Sequence, residues 1–218
     1  MLGVCVRTKD GFEIFKQFEY IDWGLHFCPY NKNMENIVGF HAPIVDLGIP
    51  NNNSLSILKN TVDMVSNYDY LTLHITNGKE PDLDVLISNL SELVDYAKKR
   101  NVKICIENLK DGFSSNPNNL IEIADITDCL ITYDIGHVDY KDRIKYVDIF
   151  SDRIYNVHVY EKEVPKIGHI APKNLENLRP VLDKLLDIGC DFWFIELMDI
   201  EDIIRTKNMC EEYLKEHR

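Results

Sequence analysis

Val102-Lys103-Ile104-Cys105-Ile106-Glu107-Asn108 is a short apolar run that ends on a carboxylate. Its Val and Ile residues favour a strand. Upstream, Leu86, Leu90, Leu93, Val94 and Ala97 form a face of helical period, with Pro81 before it and Lys98-Lys99-Arg100 in the last turn. Before that helix comes another apolar run, Tyr70 to Thr76, which carries His74 near its end. Downstream, a helical stretch from Asn119 to Asp125 precedes Leu130 to Asp134, which again ends on a carboxylate. Three strands separated by two helices predict parallel pairing, because each crossover returns the chain to the same end.

The pattern extends in both directions. Further strand candidates are Gly3–Arg7, Tyr20–Leu25, Ile37–Pro43, Tyr155–Tyr160 and Phe192–Leu197, which makes eight in all. Helices are expected over Ser54 to Ser66, Lys141 to Phe150, around Leu178 to Leu186 and over Glu201 to Lys215. The connections after Arg7 and Leu25 read as too short for full helices. Eight such units close into a single (β/α)8 barrel of the TIM type spanning residues 1–218, and 218 residues is near the short end for that fold. A doubly wound open sheet is the competing reading, but Thr8-Lys9-Asp10-Gly11 lacks the glycine-rich turn expected after its first strand.

Composition narrows the function classes. Hydrophobic residues make up 45% and charged residues 28%, which is ordinary for a globular chain. The apolar runs are strand-sized, so no membrane-spanning helix is expected, and the N-terminus has no signal-peptide pattern. A net charge of −12 gives no general attraction to nucleic acid or anionic membranes. Cys5, Cys28, Cys105, Cys129, Cys190 and Cys210 are scattered without a CxxC pair, as buried free thiols in a reducing cytoplasm would be.

The chemistry-bearing residues recur at the same place in successive units. His41, His74, Glu107, Asp134, His158 and Glu196 close the third to eighth strands, at spacings of 33, 33, 27, 24 and 38 residues, and His137 follows Asp134. Barrel strands converge at their carboxyl ends, so the six side chains aim at one mouth. Mixed nitrogen and oxygen donors suit a divalent metal such as Zn, Mn, Co or Fe. Singly, each histidine also reads as a hydrogen-bonded core residue and each carboxylate as half of an ion pair. The coincidence of all six is what favours a shared metal site. Asp22 and His26 follow or end the second strand, His169 lies in the loop after His158, and Trp23, Phe27 and Tyr30 could either wall a pocket or pack the rim. His217 is read as a tail residue.

In order along the chain, Gly39-Phe40-His41-Ala42-Pro43, Leu71-Thr72-Leu73-His74, Ile104-Cys105-Ile106-Glu107-Asn108, Asp134-Ile135-Gly136-His137, Val157-His158-Val159-Tyr160-Glu161 and Phe194-Ile195-Glu196 resemble the xylose isomerase-like TIM barrels. These include sugar and sugar-phosphate isomerases and epimerases, and an endonuclease IV branch. The resemblance implies that Glu107, Asp134, His158 and Glu196 hold a catalytic divalent metal (Zn, Mn, Co, Fe or Mg) and that His137 contacts substrate. It implies that His41 and His74, with Glu107 bridging, match the ligands of an additional ion, so that one or two ions are expected. Two family features are missing. The loop Lys162-Glu163-Val164 lacks the Asp-x-His pair of the endonuclease branch and the substrate Arg of the epimerases, which leaves Lys162 or Lys166 as the candidate cation.

The leading expectation is a metal-dependent sugar isomerase or epimerase. Glu107 and Glu196 would exchange protons from opposite sides of the barrel, and His137, Lys166 and His169 would contact a small carbohydrate. A phosphoesterase acting on abasic DNA is the runner-up, opposed by the acidic charge. A barrel that binds metal and ligand without turnover is the third reading. A homo-oligomer is left open.

Overall fold

A computed structural model of the chain describes residues 1–7, 18–25, 36–78 and 80–217. Its strands are β1 (Leu2–Val6), β2 (Ile21–Gly24), β3 (Ile37–His41), β4 (Tyr70–Leu73), β5 (Lys103–Glu107), β6 (Leu130–Asp134), β7 (Ile154–Val159), β8 (Lys162–Val164), β9 (Gly168–Ile170) and β10 (Trp193–Ile195). Eight of them, all except β8 and β9, pair in parallel with both neighbours. β10 returns to β1 through Leu2 opposite Trp193, so the sheet closes into a barrel, and the open-sheet alternative is excluded. The two early connections, residues 8–17 and 26–35, lie outside the described residues, as do His26, Phe27 and Tyr30.

Among the described residues, six helices cover the barrel: α1 (Ser54–Met64), α2 (Leu83–Lys98), α3 (Pro117–Thr127), α4 (Arg143–Phe150), α5 (Arg179–Asp187) and α6 (Ile200–Glu216). Their ends follow local chemistry. Asp82 caps α2 by accepting the Val85 N–H at 3.2 Å. Asn116 caps α3, Pro117 takes its first position, and Asp128 ends it in the left-handed region at φ 56°. The face of α2 that the sequence marked as apolar, Leu86, Leu90, Leu93, Val94 and Ala97, is the buried one. Burying each leucine side chain contributes about 1.5–3 kcal/mol.

The barrel interior is graded from end to end. Its floor is a small apolar cluster of Cys5, Tyr70, Cys105 and Phe194. A Cβ added to Gly39 would lie 2.1 Å from the Tyr70 ring, so only glycine leaves room for that ring. Further along the strands Thr72 and Thr132 share a hydroxyl hydrogen bond of 2.7 Å. The charged residues come at the carboxyl ends. The hairpin of β8 and β9, antiparallel with Lys162 opposite Ile170, stands beside that mouth where a plain loop was expected.

Candidate metal centre

Glu107 and Asp134 are the last residues of β5 and β6, His158 lies in β7 opposite Asp134, and Glu196 follows β10. All four are buried, and their donor atoms lie within 4.8 Å of one another. His158 Nδ1 is 3.0 Å from Glu107 Oε1, 3.0 Å from Glu196 Oε2 and 3.7 Å from Asp134 Oδ2. One ring nitrogen offers at most one proton, so it cannot satisfy three carboxylates. Asp134 Oδ2 is left buried with no hydrogen-bond partner. Three desolvated carboxylates around a single nitrogen are costly on their own, and a divalent cation with one nitrogen and three oxygen donors removes that cost. The donor set therefore fits a hard or borderline divalent metal.

The electrostatics reflect the crowding. Burial alone lowers the His158 pKa, but Glu196 and Glu107 outweigh it and hold the imidazole well above its ordinary value. Burial pushes Glu107 up, yet His158 and hydrogen bonds from three imidazoles leave it well below the usual carboxylate range. Glu196 is also depressed: burial opposes the shift, and His158 and Arg7 drive it.

A second cluster shares Glu107. His41, the last residue of β3, and His74, just past β4, place Nε2 at 2.8 and 3.0 Å from Glu107 Oε2. His41 Nδ1 is 3.1 Å from the Ala42 carbonyl, which only accepts, so Nδ1 carries a proton. A neutral His41 then turns a lone pair toward a carboxylate oxygen. Either a second proton or a cation must lie between them, and donor atoms of His41, His74 and Glu107 are close enough for one ion.

His137 and His169 repeat this orientation at the rim. His137 Nδ1 faces the Asn108 carbonyl at 2.8 Å and His169 Nδ1 the Glu196 carbonyl at 2.9 Å, so both donate from Nδ1, and with Glu163 the two histidines form a third group of donor atoms within 4.8 Å. His137 Nε2 lies 3.6 Å from Glu163 Oε2 on β8, and His169 on β9 stacks on Tyr160 at 4.0 Å. Burial lowers the His137 pKa, but Asp134 and Glu107 raise it overall.

His41, His74, Glu107, His137, His169 and Glu196 line a cavity of about 340 Å³ together with Arg7, Lys110 and Glu163, while Asp134 and His158 are buried outside its lining. A larger hollow of about 610 Å³ lies at the opposite end of the barrel, between Met1, Tyr68, Tyr155 and Phe192, away from both clusters. The structure thus brings together His41, His74, Glu107, Asp134, His137, His158, His169 and Glu196. It does not bring in Lys166, which sits exposed in the hairpin turn at φ 67° and outside the cavity lining. Lys162 is also exposed. Lys110 reaches the cavity instead and donates to the Glu163 carbonyl at 2.6 Å. Asp22 is buried and bonded within the barrel, Trp23 packs in the core at 4% exposure, and His217 lies at the end of α6 with Nδ1 against the Tyr213 carbonyl. Arg7, Lys110 and Glu163 were not identified from sequence. Arg7 alone carried a signal, as a charge closing an apolar run.

The family model described as xylose isomerase-like TIM barrel matches residues 44–208. An uncharacterized protein of Methanocaldococcus jannaschii is 49% identical over 220 residues, covering 100% of this chain and 98% of its own length. Among solved structures, a D-tagatose 3-epimerase-like protein superposes with a TM-score of 0.78 at 24% identity, over 98% of this chain and 97% of the other. D-allulose 3-epimerase from Methylomonas sp., in complex with D-allulose, gives 0.67 at 14% identity over 89% and 82%. A barrel protein from Mycobacterium smegmatis in complex with magnesium gives 0.66 at 13% over 90% and 83%. These structural likenesses bear on the fold. The family match establishes that the chain belongs to the xylose isomerase-like TIM-barrel family.

Proposed function

We propose that the protein is a metal-dependent isomerase or epimerase of a small sugar, working in a reducing cytoplasm. The observation that carries this reading is the convergence of Glu107, Asp134, His158 and Glu196, whose donor atoms lie within 4.8 Å of one another, with Glu107 and Glu196 also lining a cavity of about 340 Å³. These four residues would hold one divalent ion, of Zn, Mn, Co, Fe or Mg, whose bound charge stabilises negative charge developing on a substrate carbonyl and its neighbouring hydroxyl.

The chain's own groups supply the rest. Glu107 and Glu196 reach the cavity from β5 and the end of β10, and each is a candidate to accept or return a proton at the substrate carbon. His137 is held by the Asn108 carbonyl, so its Nε2 faces the cavity and can donate to a substrate oxygen when protonated. His169, fixed against Tyr160 and the Glu196 carbonyl, forms part of the wall. Lys110, which lines the cavity, is the substrate cation on this reading in preference to Lys166.

The experiment is proton exchange from heavy water across a ketose panel, with Glu196→Gln as control. Exchange at the carbon beside the carbonyl, abolished in a folded Glu196→Gln, is the expected result. Full activity in that variant would sink the assignment. A metal-dependent phosphoesterase acting on abasic DNA is the second reading, favoured by the His41, His74 and Glu107 cluster. Cleavage of an abasic-site duplex by purified protein, without sugar exchange, would reverse the order.

A further inference from the structure

Arg7 follows β1 directly and its side chain is 4% exposed. A guanidinium stays charged, so burying it requires partners. Its Nε donates to Glu196 Oε1 at 2.8 Å, and its Nη1 pairs with Asp22 Oδ1 at 2.7 Å. The other Asp22 oxygen accepts the Tyr70 hydroxyl at 2.7 Å. Tyr70 is itself fixed in the barrel floor. A chain of contacts therefore runs from β4 through β2 to the end of β1 and reaches Glu196, with each group aiming the next. Gly24 leaves the space for it: an added Cβ there would lie 2.9 Å from Arg7 Cδ and 3.2 Å from Nη1.

The contact with Glu196 is incomplete in an informative way. An arginine beside a carboxylate commonly engages both oxygens through two parallel bonds. Here it engages one, and Nη2 is left buried without a partner. Glu196 Oε2 is turned away from the guanidinium and lies 3.0 Å from His158 Nδ1, inside the four-residue cluster.

We propose that Arg7 is a positioning residue for the metal centre. By holding Oε1 it fixes Glu196 as a ligand through Oε2 alone, and Asp22, Tyr70 and Gly24 hold Arg7 in turn. This rests on the reading of Glu107, Asp134, His158 and Glu196 as cation ligands.

The test uses Co²⁺ as the probe, with its visible absorption reporting coordination and a chelator competition reporting affinity. The relevant site is the one that Asp134→Asn removes. Arg7→Ala would strand two buried carboxylates, so the main variant is Arg7→Met with Asp22→Asn, which removes one charge of each sign. The expected result is Co²⁺ affinity reduced about 10–100-fold with an altered absorption band, as loss of an outer contact to a metal ligand gives. Gly24→Ala keeps both charges but displaces Arg7, and should produce a smaller change of the same kind. Wild-type affinity and spectrum in a folded double variant would overturn the proposal. Should that variant not fold, an unchanged Gly24→Ala protein would overturn it instead. A wild-type protein that takes up no Co²⁺ would overturn the metal reading itself, and the role of Arg7 with it.

Discussion

Replacing Asp134 with Asn separates a cation ligand from a structural ion pair, because the two roles move stability in opposite directions. Asp134 Oδ1 accepts the His137 N–H at 3.0 Å, and the Asn108 side chain bonds the backbone of Asp134 on both sides, at 2.8 and 2.9 Å. An asparagine keeps all three contacts, since an amide oxygen still accepts. What it loses is the charge on Oδ2, which has no hydrogen-bond partner among the described residues and lies 3.5 Å from His137 Nδ1 and 3.7 Å from His158 Nδ1, beside Glu107 and Glu196. A buried polar group left unsatisfied costs about 1–3 kcal/mol, more when charged. At this chain length each kcal/mol moves the melting temperature by about 2–4 °C. Without cation, Asp134→Asn should therefore melt higher by roughly 2–12 °C. With cation the effect reverses: a ligand is lost, and affinity should fall by more than the roughly 100-fold upper figure for losing an outer-sphere partner. The assay is thermal melting in chelator and in saturating Mn²⁺, with a competition titration for affinity. A cation-free variant that melts lower, with an unchanged response to Mn²⁺, would refute the reasoning and make Asp134 a structural partner of His158.

The His158 pKa is raised by its carboxylate neighbours, so a cation must displace a proton from Nδ1. Cation affinity should rise with pH by up to about tenfold per unit, while stability of the cation-free protein, fully supported by this pair below the ordinary histidine value of about 6.5, declines as pH rises through the elevated one. A pH-independent affinity between pH 6 and pH 8 (roughly the ordinary titration range of histidine) would contradict this. Gly39→Ala places a methyl 2.1 Å from the Tyr70 ring and should cost about 1–3 kcal/mol in chemical denaturation, with no loss expected if the ring can move aside freely. For any ketose accepted in the exchange assay, Lys110→Ala should raise KM about tenfold, the worth of one hydrogen bond to a charged group, while Lys166→Ala leaves it unchanged; the opposite pattern would restore Lys166 to the site.

The barrel and its mouth were legible because they rest on short-range pattern. Each strand is an apolar run that a single residue such as Glu107 or Asp134 ends with a charge, and each helix repeats at 3.6 residues, so the six donors could be counted one unit apart. The hairpin was not legible. Lys162–Val164 and Gly168–Ile170 are three residues each, too short to show a period of two, and they pair with each other rather than with the sheet. Glu163 comes to the cavity through that pairing, and Lys166, a candidate only because the loop lacks the family's substrate Arg, sits in the turn outside the lining. Arg7 was visible only as the end of β1. Its two partners lie 15 and 189 residues away, and no local pattern records that β10 closes against β1.

Glu107 is shared by two of the donor groups at the mouth. Its Oε1 faces His158 and the four-donor cluster, while its Oε2 faces His41 and His74. With one ion in the first cluster, Oε2 can accept from at most the protons that His41 and His74 carry on Nε2, and His41 already spends its Nδ1 proton on Ala42. A second ion held by His41, His74 and Glu107 would take the place of those protons. A carboxylate shared between two cations is poorly placed to collect a proton from a sugar carbon, because each positive neighbour lowers its basicity. On the proposed reading, Glu107 would serve proton transfer with one ion bound, and a second ion would favour the phosphoesterase alternative. The choice between the two readings turns on the occupancy of the His41 and His74 pair, and not on the four donors that both readings share.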